Sequence, residues 1–507
     1  MRALFFLLIF LISISAYSKE ENNCLKCHKG IEPIRPYNSK MMKEIFNVAK
    51  KAGYPKNECI VCHGGNPKGK TKEKAHRGTV EAFIKGFEED GRTIKGPQNF
   101  YPDPGSPWIN QYTCGMCHEE QVKAQYTSLM FTEAGKIQGS LWGFGGLEGY
   151  MHKYGNYDVS ENDIHKKMGT EIYNRYMEQL RKKEPQVYPK KMTTLPPAPT
   201  ADEVEKNPQL AVYTYLRQEC LRCHTGNKGR QKRGDYRGMG CSACHIPYSN
   251  EGLYEGNDPT IPKDKRGFLF VHSIQATRDT KVKVHGIEYS GIPVETCTTC
   301  HDRGKRIGTS YQGLMETAYK SPFLEDGLDQ PKLHTKHYLH LKADIHLKKG
   351  MLCQDCHTSI DVHSDGFLAG TTLAPVEIEC QDCHGTPDKY PWELPIGYGD
   401  EYEEKPKTGK PRGVVKTLPE YLKKGKVYDP KDGYLLTARG NPFGNVVKDG
   451  DEVIVHTAGG KDLRLKPLKK LVKEGKIEEE GMVAMVYVKK HMDRMECYTC
   501  HATWAPQ

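Results

Sequence analysis

Residues 346–363 read HLKKGMLCQDCHTSIDVH. The stretch contains a Cys-x-x-Cys-His unit, with one histidine before it and another after it. Two thiols three positions apart reach the two vinyl groups of a single porphyrin, and the adjoining histidine then lies under the iron as its proximal ligand. The pattern predicts a covalently attached c-type haem.

The same unit occurs nine times and uses all 18 cysteines of the chain. The alternative is a set of zinc sites, but zinc needs no histidine directly after the second cysteine, and nine pairs cannot be matched evenly into four-sulfur sites. We therefore expect nine c-type haems. The units, numbered motifs 1 to 9, are Cys24/Cys27/His28, Cys59/Cys62/His63, Cys114/Cys117/His118, Cys220/Cys223/His224, Cys241/Cys244/His245, Cys297/Cys300/His301, Cys353/Cys356/His357, Cys380/Cys383/His384 and Cys497/Cys500/His501.

The composition agrees with an interior filled largely by porphyrin. The chain has 507 residues, of which 37% are hydrophobic, and its mean hydropathy is −0.69. Such a low fraction of hydrophobic residues in a chain of this length indicates many polar loops, disorder or a core that is not made of protein. The motifs favour the third explanation. We expect a mainly α protein with much irregular structure, built around a row of stacked haems, with a small β insertion near the C-terminus.

The formal charge of +10 does not indicate nucleic-acid binding. A ferric haem with two ionised propionates and two neutral imidazoles carries roughly −1, so nine haems bring the total near zero. The excess lysine and arginine are best explained as partners of the propionates.

The N-terminus predicts export. Met1–Ser18 combines Arg2, an apolar run and a small-x-small site at Ala16-Tyr17-Ser18, which is typical of a secretory signal peptide. The alternative, an uncleaved anchor, would need a longer apolar run. No later stretch reaches transmembrane length, so we expect a periplasmic or extracellular protein without a membrane span after cleavage.

The motif spacing divides the chain into four parts. We expect a signal peptide at 1–18, a region with eight motifs at 19–390, a haem-free and largely β insertion at 391–490, and a ninth haem-binding segment at 491–507.

Within the insertion, Val427–Val488 has strand-like runs separated by turn residues. The alternative there is an irregular insertion. The expected strands are Tyr434–Leu436, Asn445–Val447, Val453–Val455 and Met482–Val488.

Helices are predicted between the motifs. Ser39–Gly53 has an apolar face and a glycine stop, and apolar residues recur every fourth position from Ile164 to Leu180. Thr200 with Glu203 forms a capping box, and Asn207-Pro208 begins a helix that can run into Cys220.

Twelve histidines remain after the nine proximal ones, enough for a second axial ligand at every iron. His456 lies in the β insertion and is expected to be structural, and spacing does not decide among His334, His337 and His340. Met130 is a candidate for a methionine ligand, which would raise the potential of its haem. The distal ligands that we favour lie close to motifs: His76, His272, His285, His346, His363 and His491.

Several stretches resemble a family of multihaem cytochromes related to octahaem tetrathionate reductase and, more distantly, hydroxylamine oxidoreductase. They are CLKCHKGIEPI, CIVCHGGNP with KEKAHRG behind it, DIHLKKGMLCQDCHTSIDVHSDG and HMDRMECYTCHATWAPQ. The resemblance covers most of the chain and strengthens His76, His346, His363 and His491 as distal ligands.

Two features depart from that family. Relatives with a similar ending continue into a further haem motif, so we expect a truncation or a split gene after Gln507. No lysine matches the lysine ligand of the tetrathionate enzyme, and no tyrosine matches the cross-linking tyrosine of the hydroxylamine enzyme. The resemblance therefore supports the fold more than an activity.

The sequence favours an electron-transfer protein of anaerobic respiration, acting between a quinol-linked donor and a downstream cytochrome or reductase. The alternative is a reductase of small nitrogen or sulfur oxyanions such as nitrite, hydroxylamine or tetrathionate, which needs one iron with an open position. No motif ends in lysine, the strongest sequence mark of such an iron, so no catalytic residue is assigned. A third class is a haem-bearing scaffold or filament subunit.

Overall fold

The computed structural model describes residues 22–147, 152–161, 166–276, 281–284, 287–303, 307–320, 324, 326–397, 410–423 and 425–502. The expected signal peptide lies outside these residues, as do His165 and the favoured ligand His285. No helix within the described ranges combines the length and the apolar character that a membrane crossing requires.

Most helices are short. The described α-helices are Asn23–Cys27, Lys40–Lys51, Ile60–His63, Lys72–Ala75, Glu81–Lys85, Glu119–Ala124, Leu129–Thr132, Ala134–Gly143, Glu171–Lys183, Ala201–Lys206, Ala211–Tyr215, Ser242–His245, Val294–Thr298, Ile307–Tyr311, Ile345–Lys349, Ser359–His363, Gln381–His384, Glu420–Lys423, Leu468–Lys473, Glu479–Met482, Lys489–Arg494 and Tyr498–His501. The 3₁₀ turns are Asn110–Tyr112, Cys114–Met116, Gln125–Thr127, Pro208–Leu210, Leu221–Cys223, Cys353–Asp355 and Pro391–Glu393, and the π-helical turns are Leu216–Cys220 and Val483–Tyr487.

The helix predicted over Ser39–Gly53 is confirmed as Lys40–Lys51. The Ser39 side chain accepts a hydrogen bond from the Met42 N–H and caps the first turn. Met42, Ile45 and Ala49 are buried on one face. Gly53 follows the last turn at φ +86°, the left-handed conformation that ends helices and that glycine adopts without strain.

The second predicted helix begins later than expected. It spans Glu171–Lys183, because Thr170 accepts a hydrogen bond from the Tyr173 N–H and fixes the start there. The capping box of Thr200 and Glu203 is present. Asn207-Pro208 begins a run of helical turns that continues through Cys220, as predicted.

The largest sheet has five antiparallel strands in chain order: Val414–Val415, Gly433–Leu436, Pro442–Asp449, Glu452–His456 and Asp462–Leu465. Lys191–Thr194 lies between Tyr154–Gly155 and Val159–Ser160 in a small mixed sheet. Three two-stranded ribbons pair Phe87–Glu89 with Arg92–Ile94, Lys281–Val284 with Ile287–Ser290, and Leu314–Thr317 with His337–His340.

Three of the strand predictions in the insertion fall within this sheet, and the fourth is wrong. Met482–Val488 is helical, with a π-helical turn at Val483–Tyr487. Glu479 and Glu480 lie in the first turn of the preceding helix, where carboxylates stabilise the N-terminal end of the helix dipole. Methionine and alanine in the run are good helix formers, so local preference outweighs the valines.

A buried ion pair attaches the sheet region to motif 8. The Arg412 guanidinium bonds the Asp382 carboxylate, and these side chains are 1% and 0% exposed. The same guanidinium donates to the Leu436 carbonyl in the sheet. Burial raises the pKa of Asp382 to about 6, and the arginine opposes that rise.

Removing one partner of a buried ion pair leaves the other charge unpaired away from water. We expect Arg412→Ala to lower the free energy of unfolding by about 3–5 kcal/mol. The control is Arg464→Ala, because Arg464 is an exposed sheet residue that pairs with Asp449 and Glu452; its loss should cost much less, because exposed ion pairs contribute little to stability. Denaturant titration followed by circular dichroism measures both. Equal losses in the two variants would contradict the role given to Arg412.

Candidate functional site

Eight of the nine motifs share one backbone hydrogen bond. The N–H of the motif histidine donates to the carbonyl of the first cysteine, with N···O distances of 2.8–3.0 Å. This single helical turn places both thiols beside the imidazole, as attachment of one haem requires. Motif 4 differs, because the His224 N–H donates to the Leu221 carbonyl at 3.2 Å. No disulfide joins any of the 18 cysteines.

Several attachment residues lie at the surface of the polypeptide, although the sequence predicts that the haem sites form the interior. The exposed cysteines and motif histidines are Cys27, Cys117, His118, His301, Cys356, Cys380, Cys500 and His501. A chain that is 37% hydrophobic has too few apolar side chains to cover nine attachment turns by itself.

The exposed motifs still have the geometry of attachment turns. The N–H groups of His118 and His301 donate to the carbonyls of Cys114 and Cys297 at 2.8 and 3.0 Å, and motif 9 has the same bond at 3.0 Å. The backbone of His301 also lies against Gly308, where a Cβ would stand 2.3 Å from the His301 carbonyl oxygen. Haem binding by Cys117, His118, His301 and Cys500 therefore stays a prediction.

Four motif histidines face a second imidazole at nearly one distance. The pairs, with the separation of their ring centres, are His28 and His76 at 6.0 Å, His63 and His272 at 6.2 Å, His245 and His363 at 6.0 Å, and His384 and His346 at 6.1 Å. An iron–nitrogen bond of roughly 2.0 Å on each side plus a ring radius of about 1.1 Å gives a separation of about 6.2 Å. The spacing fits one iron between two imidazoles.

Hydrogen bonds at Nδ1 orient these rings. His63, His245, His272 and His363 each place Nδ1 at 2.8–2.9 Å from a backbone carbonyl, and His346 places it at 2.8 Å from the Asp344 carboxylate. Nδ1 must therefore donate, which leaves the Nε2 lone pair available for a metal.

Burial favours the neutral form of three of the paired rings. It lowers the pKa of His63, His363 and His384 to about 4, with the imidazole across the gap adding to the effect in each case. The charge of His118 also lowers the pKa of His363, which places motif 3 beside the ring pair of motif 5. A neutral imidazole is the form that ligates iron.

The other candidate ligands that the structure describes have different surroundings. Nδ1 of His491 lies 3.0 Å from the Ala484 carbonyl, in the exposed C-terminal segment. The His456 ring stacks on Tyr428 at 4.0 Å and bonds Asp462, as a structural histidine would. His152 is buried against Gly370, and the Met130 carbonyl accepts a hydrogen bond from Thr225 beside motif 4.

Contacts between cysteines give the order of the motifs in space. Neighbouring cysteine side chains join motifs 1 and 2, 3 and 5, 4 and 6, 6 and 7, and 8 and 9; the pairs are Cys24 with Cys59, Cys114 with Cys241, Cys223 with Cys300, Cys297 with Cys353 and Cys380 with Cys497. Electrostatic contacts join motifs 2 and 3, 5 and 6, and 7 and 8.

The motifs therefore form one continuous row in the order 1, 2, 3, 5, 6, 7, 8, 9. Motif 4 lies to the side of this row, next to motif 6. Haems attached at neighbouring motifs would themselves be neighbours, so the row would offer a path for electrons between cofactors.

Motif 4 is exceptional in its histidine as well. His224 is 8% exposed and is the most buried of the nine motif histidines. Its Nδ1 accepts a hydrogen bond from the Gly226 N–H at 2.8 Å, the reverse of the arrangement at His63 or His245. Within the described residues its ring neighbours are Phe131 and Tyr157, and no second imidazole faces it at the ligand distance.

A buried polar cluster lies between motifs 4 and 6. Nδ1 of His334 is 3.2 Å from Asp235 and 3.5 Å from Asp302, and the three side chains are 1–3% exposed. Arg230 pairs with Asp235, and Lys336 pairs with Asp302. Sequence reasoning left His334 open and missed both aspartates, because no local pattern brings positions 235, 302 and 334 together.

The five-stranded sheet fixes motifs 7 and 8, which share the sequence Cys-Gln-Asp-Cys-His. Asp355 accepts hydrogen bonds from the N–H groups of Leu352 and Ala458, and the second of these belongs to the sheet region. Asp382 likewise accepts from the Glu379 N–H and pairs with Arg412. One aspartate position in each motif thus connects the attachment turn to the haem-free insertion.

Comparison with known proteins finds one family model that matches part of the chain. Residues 215–393 match the model described as outer membrane cytochrome MtrC/MtrF-like, domains II/IV. The matched range contains motifs 4 to 8, and the match supports a multihaem cytochrome with c-type haems. No curated protein and no solved structure matches the chain.

The ring pairs make a spectroscopic prediction. His363→Ala removes the imidazole opposite His245, so one iron should lose its sixth ligand and change from low spin to high spin. Electron paramagnetic resonance of the oxidised protein should show one new high-spin ferric signal. His456→Ala is the matched control and should add none. A high-spin signal in both variants, or in neither, would contradict the pairing.

Proposed function

We propose that the protein is an exported nonahaem c-type cytochrome that carries electrons between respiratory partners. The observation that carries the proposal is the unbroken spatial row of eight motifs, with motif 4 beside it. Consecutive low-spin irons in such a row exchange electrons without binding substrate, and the family match over 215–393 is to cytochromes of the outer membrane.

The axial ligands of four haems follow from the ring geometry. We propose His76, His272, His363 and His346 as the distal ligands opposite His28, His63, His245 and His384. Histidine on both sides of the iron closes it to substrate. His491 stays a proposal for a haem at the C-terminal end, by its closeness to motif 9 in the sequence.

The haem supplies the electron-accepting iron, and the chain orients it and tunes its surroundings. The Nδ1 hydrogen bonds of His63, His245 and their partners fix the ring planes and strengthen the imidazoles as ligands. The donor is expected to be quinol-linked and the acceptor a downstream cytochrome or reductase.

Deleting single haems tests the row. Cys241→Ser with Cys244→Ser removes the haem of motif 5, which lies inside the row. Cys220→Ser with Cys223→Ser removes the haem of motif 4, which lies beside it. A photosensitiser is attached to a cysteine introduced by Lys70→Cys, and a C-terminal tag holds the protein on an electrode. The readout is the photocurrent that passes from the photosensitiser to the electrode.

We expect the motif 5 variant to lose at least tenfold in photocurrent and the motif 4 variant to stay within twofold of the parent. Circular dichroism and a haem count of eight per chain verify that each variant is folded. Equal photocurrents in the two variants would overturn the proposed path.

A second candidate function, reduction of small nitrogen or sulfur oxyanions, is favoured by motif 4. Its histidine has the reversed hydrogen bond, no second imidazole faces it among the described residues, and Arg222, Arg230 and Arg237 line a cavity beside Cys223. Cations in such a cavity would bind an oxyanion, and Asp235 with His334 would supply protons.

The two functions differ in a measurable way. A reductase requires a high-spin signal near one haem equivalent, carbon monoxide binding after reduction, and turnover of nitrite, hydroxylamine or tetrathionate. We expect Asp235→Asn then to lower kcat by about 10²–10⁴-fold, as for loss of a general acid, while Asp326→Asn, an exposed substitution, leaves it unchanged. Low-spin signals alone, with no carbon monoxide binding, would exclude this candidate.

A further inference from the structure

Three chain segments meet at His28, the histidine of the first motif in the row. The segment 22–29 contains the motif, and Asn23 donates a hydrogen bond to the Pro67 carbonyl of the segment 66–76 at 3.0 Å. That second segment ends at His76, whose ring faces His28. The third segment, 258–266, bonds His28 through Asp258 at 2.6 Å and Thr260 at 3.0 Å.

These segments carry an unusual number of cations. We call their eight lysines the lysine collar: Lys26, Lys29, Lys68, Lys70, Lys72, Lys74, Lys263 and Lys265. All eight are exposed, and the exposed carboxylates on the same segments are Glu73 and Asp264. The net formal charge of the exposed lysines and carboxylates is therefore +6.

Most of the collar charge is unpaired within the described part of the chain. Lys29, Lys70, Lys72, Lys74, Lys263 and Lys265 form no ion pair with a described residue. In the sheet region, by contrast, Arg464, Lys466, Lys469 and Lys470 each pair with a carboxylate. The two propionates of one haem would offset only about +2 of this charge. No carboxylate of the described residues pairs with the six lysines.

The position of the collar matters because motif 1 begins the row. The other end has the opposite balance: residues 478–502, which include motif 9, contain five carboxylates and three lysine or arginine residues. The excess positive charge is thus a property of the motif 1 end, where electrons would enter or leave.

We propose that the lysine collar docks an acidic electron-transfer protein at the haem of motif 1. This inference rests on the proposed electron-carrying function. A ring of like charge around one cofactor steers a partner of opposite charge so that the two cofactors meet, and raises its association rate by 10- to 10³-fold at low ionic strength.

An acidic protein fits the collar better than a lipid surface does. Membrane-surface binding combines cations with large apolar side chains that enter the acyl region. The exposed large hydrophobic residues of the described chain lie outside the three collar segments; examples are Trp108, Trp142 and Tyr319. The collar offers charge without an apolar anchor.

The test uses the haem-loaded protein and a photoreduced, acidic flavodoxin as the probe. The two collar variants alter different segments: K70Q/K72Q/K74Q on the second and K263Q/K265Q on the third. The control, K182Q/K190Q/K191Q, removes the same number of exposed lysines from another face. Stopped-flow absorbance gives the second-order rate of haem reduction at several ionic strengths.

We expect the K70Q/K72Q/K74Q variant to lose at least tenfold in rate at low ionic strength and to depend less steeply on salt, because screening acts on the same charges. K263Q/K265Q should lose about threefold, and the control should stay within twofold of the parent. Equal losses in the control, or unchanged rates in both collar variants, would overturn the proposal.

Two further readouts separate this proposal from the electron-carrying function. Carbodiimide cross-linking to oxidised flavodoxin, mapped by mass spectrometry, should fall on collar lysines whether or not electrons pass along the row. Cross-links at the collar together with slow electron transfer along the row would count against the proposed function alone. Cross-links elsewhere would overturn the docking proposal. Collar-dependent binding to phosphatidylglycerol vesicles with unchanged flavodoxin rates would assign the surface to lipid and overturn the proposal.

Discussion

Two imidazoles can share one iron only when their rings stand on a common axis with their centres about 6 Å apart. Four histidine pairs have this spacing, and Nδ1 hydrogen bonds at rings such as His63 and His363 leave Nε2 available for a metal. Other parts of the fold serve the same requirement. The loop from Asn66 to His76 and the aspartate at the third position of motifs 7 and 8 hold ligands or attachment turns in place.

This constraint also explains why the apolar clusters are small. The largest contains 12 buried residues, gathered around Tyr173 and Tyr188. A protein of 507 residues would ordinarily need larger cores. Haems attached at the nine turns would supply the missing apolar contacts, including those at exposed residues such as Cys117 and His301. Folding would then be coupled to haem attachment.

Local features of the sequence predicted local features of the structure. Each attachment turn is predicted by the five residues of its Cys-x-x-Cys-His unit. The helix Lys40–Lys51 is predicted by its cap and its apolar face. His346 and His363 were favoured as ligands because they are near a motif, yet the structure pairs them with His384 and His245 rather than with His357 between them. Motif 3 lies next to motif 5, and motif 4 lies next to motif 6, through contacts between residues more than 70 positions apart in the sequence. The spacing of the motifs does not encode such contacts. The valines of Met482–Val488 favour a strand by themselves. The glutamates in the first turn of the preceding helix favour a helix instead, and the structure follows them.

The central claim is the spatial order of the haems. Anomalous scattering at the iron edge from crystals of the haem-loaded protein locates every iron directly. The account predicts nine iron positions, eight in a continuous row in the order of motifs 1, 2, 3, 5, 6, 7, 8 and 9, with the iron of motif 4 nearest that of motif 6. A row that passes through motif 4, or that is broken between motifs 3 and 5, would contradict it.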